Sequence, residues 1–399
     1  MESIFLKTST DVEIALRKTT KRTLEDFKAL ISPSGGKFLE EMAGLSYNLT
    51  RKRFGNTIQL YAPLYLSNEC QNICTYCAFS FDNKIKRITL TEERIMEEVS
   101  VLKKLGFNHI LIVTGEAIQS VGMEYFRKML PLIRPHFSHI SFEVQPLDEP
   151  DYRELKSLGV NTVLVYQETY NKQDYKLFHP RGKKSNFYFR LETPDRLGKA
   201  DIHKIGLGVL LGLGKKDKQG STWRTNSFFC ALHLHYLEKI YWKTKFSVSF
   251  PRLRPIEIAG PVLINKKKVD NGATNSSTTK YFDEGISDKE LVQLICAYRI
   301  FNPELELSIS TRESESFRDN IINLGVTTMS AGSKTNPGGY SHSNNFEKIT
   351  SSDEKMSLQQ FEISDERSPK IISEMLKQKG FEPVWKDWDR SFELIPHEI

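Results

Sequence analysis

Eight times between residues 58 and 329, a short run rich in β-branched and aromatic residues gives way to a longer amphipathic stretch, and this alternation leaves few folds open. The runs 58–66, 109–113, 139–144, 161–166, 205–211, 245–250, 306–309 and 326–329 read as strands. Helical spacing begins at Thr91 and returns at 123–133, 152–158, through Arg190 and Leu197, and at 223–241, 289–300 and 317–324. Strands separated by helices pair in parallel. Eight such units fit a closed (βα)8 TIM-type barrel better than an open doubly wound sheet. Residues 1–57 place Ile14, Leu16, Leu24, Phe27 and Leu30 at helical spacing, with a break at 32–36, and read as a helical N-terminal extension. The barrel spans 58–340 and includes a polar, basic insertion at 261–284. A C-terminal extension, 341–399, holds a helix at 371–379 and the aromatic residues Trp385, Trp388 and Phe392, expected to pack on the body.

In a barrel of this kind reactive groups sit just past the carboxyl ends of the strands. Three cysteines follow the first strand, Thr114-Gly115-Glu116 the second, and Glu143 and Gln145 close the third. Gln167-Glu168-Thr169 follow the fourth, Arg252 and Arg254 the sixth, Arg312 the seventh and Ser330 the eighth. Polar residues recurring round the whole ring point to a single polar pocket.

Cys70, Cys74 and Cys77 put three of the chain's five cysteines into eight residues as C-x3-C-x2-C. A four-iron cluster takes thiolate ligands, so three cysteines would hold three irons and leave the fourth open to a substrate. Zinc is the alternative, with a distant histidine completing a tetrahedron, but such sites usually pair two C-x2-C motifs and there is no second one. So few cysteines, and an amino terminus without an apolar signal core, argue for a reducing compartment and against disulfides. Cys230, His233 and His235 fall on the helix expected at 223–241, away from the strand ends, and Cys296 on another; all four read as packing or surface residues. The net charge of +6 is spread over 56 basic and 50 acidic residues, a mixed solvated surface and not a nucleic-acid-binding one. No apolar run is long enough to span a membrane. Glu2, Asp11 and Glu13 count against a transit peptide, so the expected location is cytoplasmic, or the plastid stroma if the chain is plastid-encoded.

Tyr76, just before Cys77, completes a C-x3-C-x-aromatic-C pattern that resembles the radical S-adenosylmethionine (SAM) enzymes. Further motifs sharpen the likeness: SNECQNICTYCAFS at 67–80, VTGEA at 113–117, EVQPL at 143–147, YQETY at 166–170, SFPRLRP at 249–255, STRES at 310–314 and MSAGSKTNPGGY at 329–340. Together they resemble the 2-iminoacetate synthases, the tyrosine lyases of thiamine thiazole biosynthesis, within the aromatic amino-acid lyase group. The resemblance implies a 4Fe-4S cluster on Cys70, Cys74 and Cys77, its fourth iron bound by the amino and carboxylate groups of SAM. It implies that Thr114, Gly115 and Glu116, in place of a Gly-Gly-Glu turn, bind the SAM ammonium and that Glu168 and Arg190 hold its ribose and carboxylate. Tyr76 and Glu143 belong with these cofactor-binding residues. Arg312 and Ser330 are implied to grip the carboxylate of the substrate amino acid.

The reaction so implied cleaves SAM with one electron, and the resulting 5′-deoxyadenosyl radical takes hydrogen from the amino group of L-tyrosine. The Cα–Cβ bond then breaks to p-cresol and 2-iminoacetate (dehydroglycine). A flavodoxin- or ferredoxin-type low-potential electron donor and a complex with thiazole synthase are the partners implied, with no nucleic acid and no membrane. Two stretches depart from the family pattern, Lys199-Ala200-Asp201 and a lengthened 215–222. The rivals are a hydrogenase-maturase-type tyrosine lyase, which needs a further cysteine motif where none follows Cys296, a tryptophan lyase, and a non-catalytic metal-binding scaffold.

Overall fold

The structure is a computed structural model that describes residues 2–214, 222–254, 256, 285–341 and 359–385. The strands β1 (Thr57–Ser67), β2 (His109–Thr114), β3 (His139–Glu143), β4 (Thr162–Leu164), β5 (Lys204–Gly208), β6 (Lys245–Ser249), β7 (Glu306–Ile309) and β8 (Thr328–Ser330) follow one another round a ring. Every pairing is parallel and β1 pairs back to β2, which closes the barrel expected from the alternation. The strands are buried on both faces, as strands covered by helices outside and by side chains inside must be. β4 is shorter than the run 161–166 because the chain leaves the ladder after Val165, and the Tyr166 carbonyl instead accepts from Arg190 Nε at 2.7 Å. β8 begins later than the run 326–329, so Ser330 lies within the strand rather than after it.

A ninth strand, β9 (Glu382–Val384), has no counterpart in the sequence reading. β1 begins pairing with β2 only at Ala62, so its first residues project beyond β2, and β9 pairs there with Thr57–Gln59. An open strand edge invites pairing with another chain, and β9 covers this one. Trp385 follows it and meets Phe107 edge-on, with ring centroids 5.3 Å apart. Trp388, Phe392, the insertion 261–284 and the lengthened segment 215–221 lie outside the described residues.

The N-terminal extension docks through the end of its second helix, Leu24–Ile31. The last carbonyls of a helix have no partner within it. Here Gln293 Nε2 donates to Leu30 O at 2.7 Å and Arg224 Nε to Ile31 O at 2.8 Å, while Phe27 packs on Tyr298. Cys230 and Cys296 are buried in helices outside the barrel, and His233 Nδ1 is 3.0 Å from the Tyr170 hydroxyl.

The C-terminal extension is tied to the end of β8 by Arg318 and Asp365, both fully buried. Arg318 pairs with Asp365 and also donates to the Ser330 carbonyl, and Arg367 donates to Asp365 at 2.7 Å. Removing one member of a buried pair leaves a charge without compensation. Asp365→Ala is therefore expected to lower the unfolding free energy by about 3–5 kcal/mol, read as a lower urea midpoint, and an unchanged midpoint would show that the pair does not fasten the extension.

Candidate active site

β1 ends in a register shift between Tyr65 and Ser67, and the cysteine loop follows. Such a loop has no ladder for its backbone groups, so side chains satisfy them. Ser80 Oγ accepts from Cys74 N at 3.1 Å, and Asn83 Nδ2 donates to Cys77 O and Ala78 O at 3.1 and 2.9 Å. Arg87 donates to Asn68 O, Phe79 O and Ser80 O at 2.7–2.9 Å. Gly115 lies directly beneath: a Cβ there would stand 2.1 Å from Glu69 O and 3.1 Å from Cys70 Cβ. Packing of the turn after β2 against the cysteine loop thus already demands glycine, whatever approaches from the cavity. Thr114 pairs with Ser67 in the β1–β2 ladder, its buried hydroxyl has no hydrogen-bond partner among the described residues, and it does not line the cavity.

All the other residues to which the resemblance assigns a role line one cavity at the carboxyl ends of the strands, whereas the strand-end residues Gln145, Gln167 and Thr169 do not line it. Cys70, Cys74 and Cys77 are free thiols on its wall. Burial pushes the Cys70 and Cys74 thiols up, and burial with the neighbouring Cys70 pushes Cys77 up to about 11. Unliganded, they are thiols; ligation is what converts such groups to thiolates. Among the described residues no three Cys, His, Asp or Glu side chains gather as around a single ion. Three thiols on one cavity wall are a donor set that a multi-iron cluster takes, one to each of three irons. The donor set therefore fits the cluster that the motif implies.

Beside the thiols, charges alternate. Arg190 Nη1 donates to Glu116 Oε1 at 2.9 Å and stands 3.8 Å from Glu168, whose Oε1 accepts from Lys184 Nζ at 2.8 Å. Asn72 Nδ2 holds the second Glu116 oxygen at 2.7 Å. Burial alone would raise Glu168, but Lys184 and Arg190 outweigh it and hold the carboxyl below its ordinary range. Glu168 also has φ +67°, a left-handed conformation costing a side-chain-bearing residue about 1 kcal/mol or more. Its carbonyl in that turn accepts from Leu210 N at 2.9 Å. Tyr76 directs its hydroxyl to His179 Nε2, 2.8 Å away.

Across the cavity, Arg312 lies over the Phe361 ring, 3.4 Å from its centroid, and donates weakly to Arg252 O at 3.4 Å. Among the described residues neither Arg312 nor Glu143 is in an ion pair. Burial, reinforced by the charge of Glu168 and opposed by Arg312, Lys184 and Arg190, raises Glu143 to about 7. Ser330 Oγ accepts from Thr311 N at 3.1 Å, and its hydroxyl also bonds that of Tyr61.

Several lining residues carry no signal in the sequence. Lys184 and Asn72 stand in loops without periodicity. Gln360, which accepts from the Tyr65 hydroxyl at 2.6 Å, and Phe361 come from the C-terminal extension, whose return to the barrel mouth no local pattern announces. Arg252 and Arg254, expected at the pocket, both pair with Glu313, and of the two only Arg254 lines the cavity.

Family models agree with this picture. The Radical SAM superfamily matches residues 64–220, and the Biotin and Thiamin Synthesis associated domain matches 249–382. Among solved structures, the FeFe-hydrogenase maturase HydG from Carboxydothermus hydrogenoformans superposes with a TM-score of 0.78 at 29% identity, over 96% of this chain and 80% of that one. The methylornithine synthase PylB, at 18% identity and TM-score 0.66 over 94% and 97% of the two chains, shares the fold. The 2-iminoacetate synthase of Escherichia coli (strain K12) is 46% identical over 383 residues, 96% of this chain and 92% of the relative. With that identity across almost its full length, the chain belongs to the 2-iminoacetate synthase family of radical SAM enzymes.

Proposed function

We propose that the chain cleaves the Cα–Cβ bond of L-tyrosine, releasing p-cresol and the 2-iminoacetate that enters the thiazole of thiamine. The observation that supports this most directly is the cavity itself, where three free thiols share one wall with Glu116, Glu168, Lys184 and Arg190 while Glu143 and Arg312, in no ion pair among the described residues, lie beyond them. Cys70, Cys74 and Cys77 would hold the cluster, with SAM on its remaining iron. When bound, this pair supplies a carbon radical able to take hydrogen from an unactivated position. Two acids and two cations beside the thiols match the zwitterionic end of SAM, whose ammonium needs a carboxylate and whose carboxylate needs a guanidinium or ammonium.

The substrate would lie between Arg312 and Glu143. An α-amino acid presents one anion and one cation on neighbouring atoms, and a guanidinium facing a carboxyl, neither in an ion pair among the described residues, is its complement. Ser330 adds a hydroxyl donor to the carboxylate end. Fixed at both ends, the amino group is held where hydrogen can be taken from it and nowhere else. Cavity walls from Tyr65, Phe79 and Phe361 keep competing hydrogen donors out. Because 2-iminoacetate hydrolyses readily, its handover to thiazole synthase in a complex completes the reading.

Anaerobic incubation of the cluster-loaded protein with SAM, reductant and either tyrosine or tryptophan tests the substrate. Tyrosine-dependent 5′-deoxyadenosine with p-cresol and glyoxylate is the expected result; products from tryptophan alone would overturn it. Arg312→Ala should raise the KM for tyrosine on the order of a hundredfold, as expected for loss of a charge-assisted carboxylate contact, and leave SAM binding intact. An unchanged KM would remove Arg312 from the substrate.

A further inference from the structure

Reduction of a cluster inside a barrel requires a donor to come close, because electron transfer falls steeply with distance. The cavity side of the cysteine loop is where SAM and substrate would bind, which leaves its outer side. That outer side is built from two segments laid against each other. Ile73 N donates to Arg181 O at 3.0 Å, Thr75 N to Phe178 O at 3.2 Å and Phe81 N to Asn72 O at 2.8 Å, so residues 81–86 and 176–183 flank the loop directly. Both segments turn basic side chains to solvent: Lys84 and Lys86 on one, Lys176, Arg181 and Lys183 on the other. Among the described residues none of the five is in an ion pair, and Asp82 is the only exposed acid in the two segments. Over the whole chain basic residues outnumber acidic ones only by 56 to 50, so this local excess is not the average surface. Phe81, 59% exposed, gives the patch an apolar residue only four positions beyond Cys77.

We propose that this basic face over the cysteine loop is the docking surface for the electron donor, an acidic low-potential redox protein. The inference rests on the radical SAM reading. Charge complementarity commits it to an acidic partner. Electron-transfer encounters are small and weak, and are held and steered largely by opposed charge. Five exposed cations and one exposed aromatic ring on the two segments bonded to the loop suit such an encounter: the charges steer the partner, and Phe81 offers a small dry contact close to the cysteines. Lys184, the residue after the second segment, pairs with Glu168 and lines the cavity instead.

The test compares the wild-type protein with the triple variant Lys84→Glu/Lys86→Glu/Arg181→Glu, both cluster-loaded. Cluster reduction is followed by stopped-flow visible absorbance, once with reduced flavodoxin and once with dithionite. For the variant, flavodoxin-driven reduction should slow by roughly tenfold or more at low salt, and the difference should vanish at about 0.5 M salt, where exposed charges are screened. Dithionite, itself a small anion, meets the same change of charge but makes no protein contact, so its reduction of the cluster should slow far less. The neutral variant Lys84→Gln/Lys86→Gln/Arg181→Gln should fall between them. Equal flavodoxin rates, or equal slowing with both reductants, would overturn the proposal. The readout needs no tyrosine, so a protein that shows the salt-dependent difference yet makes no p-cresol would sink the substrate assignment and leave this surface standing.

Discussion

Cys74→Ala is expected to abolish cluster binding and with it all SAM cleavage, a loss of at least about a thousandfold in 5′-deoxyadenosine formation. Cys74 is 5% exposed, the most buried of the three loop thiols, and its amide is held by Ser80. Burial holds its thiol in the protonated form, so the only state in which it serves the site is as a ligand. Alanine at this position keeps the small volume and the backbone bond, and the loop should still close on Arg87. Iron analysis and the visible spectrum after reconstitution read the result. Cys296→Ala is the control, since Cys296 lies in the helix 288–301 outside the barrel with its thiol 3.8 Å from Leu324 O. It should keep full iron and full activity, at a stability cost of about 1 kcal/mol for the vacated space. A Cys74→Ala protein that retains full iron and cleaves SAM would remove the cluster from this loop.

The contrast between these two cysteines shows what could be read without coordinates. Cys70, Cys74 and Cys77 announce themselves because ligand spacing is local and chemically rare. The strand-end residues Glu116, Glu143, Glu168 and Ser330 were legible because a barrel converts order along the chain into a ring in space, and the βα alternation reveals the barrel. What the residues do to one another was not legible. Arg190 stands 74 positions from Glu116 yet bonds it at 2.9 Å. Lys184 reaches Glu168 from a loop whose composition resembles any solvated surface. Nor was the close packing of Gly115 against Glu69 and Cys70 legible. The wall formed by Gln360 and Phe361, and the strand β9, depend on how the C-terminal extension returns to the barrel, which pairwise long-range packing decides.

Glu143→Gln should lower kcat/KM for tyrosine by about 10²–10⁴-fold, the range typical of a positioned acid–base group, and flatten its pH dependence near neutrality. Hydrogen removal from an ammonium would leave a radical cation with no lone pair to stabilise it, so the substrate's amino group must first give up a proton. Glu143 is the group placed to take it. It stands opposite Arg312, the proposed carboxylate anchor. It shares the cavity with Tyr65 and Tyr166, whose hydroxyls burial keeps protonated, and with Glu168, which Lys184 and Arg190 already hold ionised. Burial puts Glu143 at about 7, where a small change of pH changes its charge. Below that value it is a neutral acid and cannot accept the proton; above it, it is a carboxylate and can. Activity should therefore rise with pH through about 7 in the wild type, and the glutamine variant, which cannot ionise, should lose that limb. SAM affinity separates this role from cofactor binding. If Glu143→Gln weakens SAM binding but keeps the wild-type inflection, the carboxylate belongs to the SAM site and the proton must leave by another group.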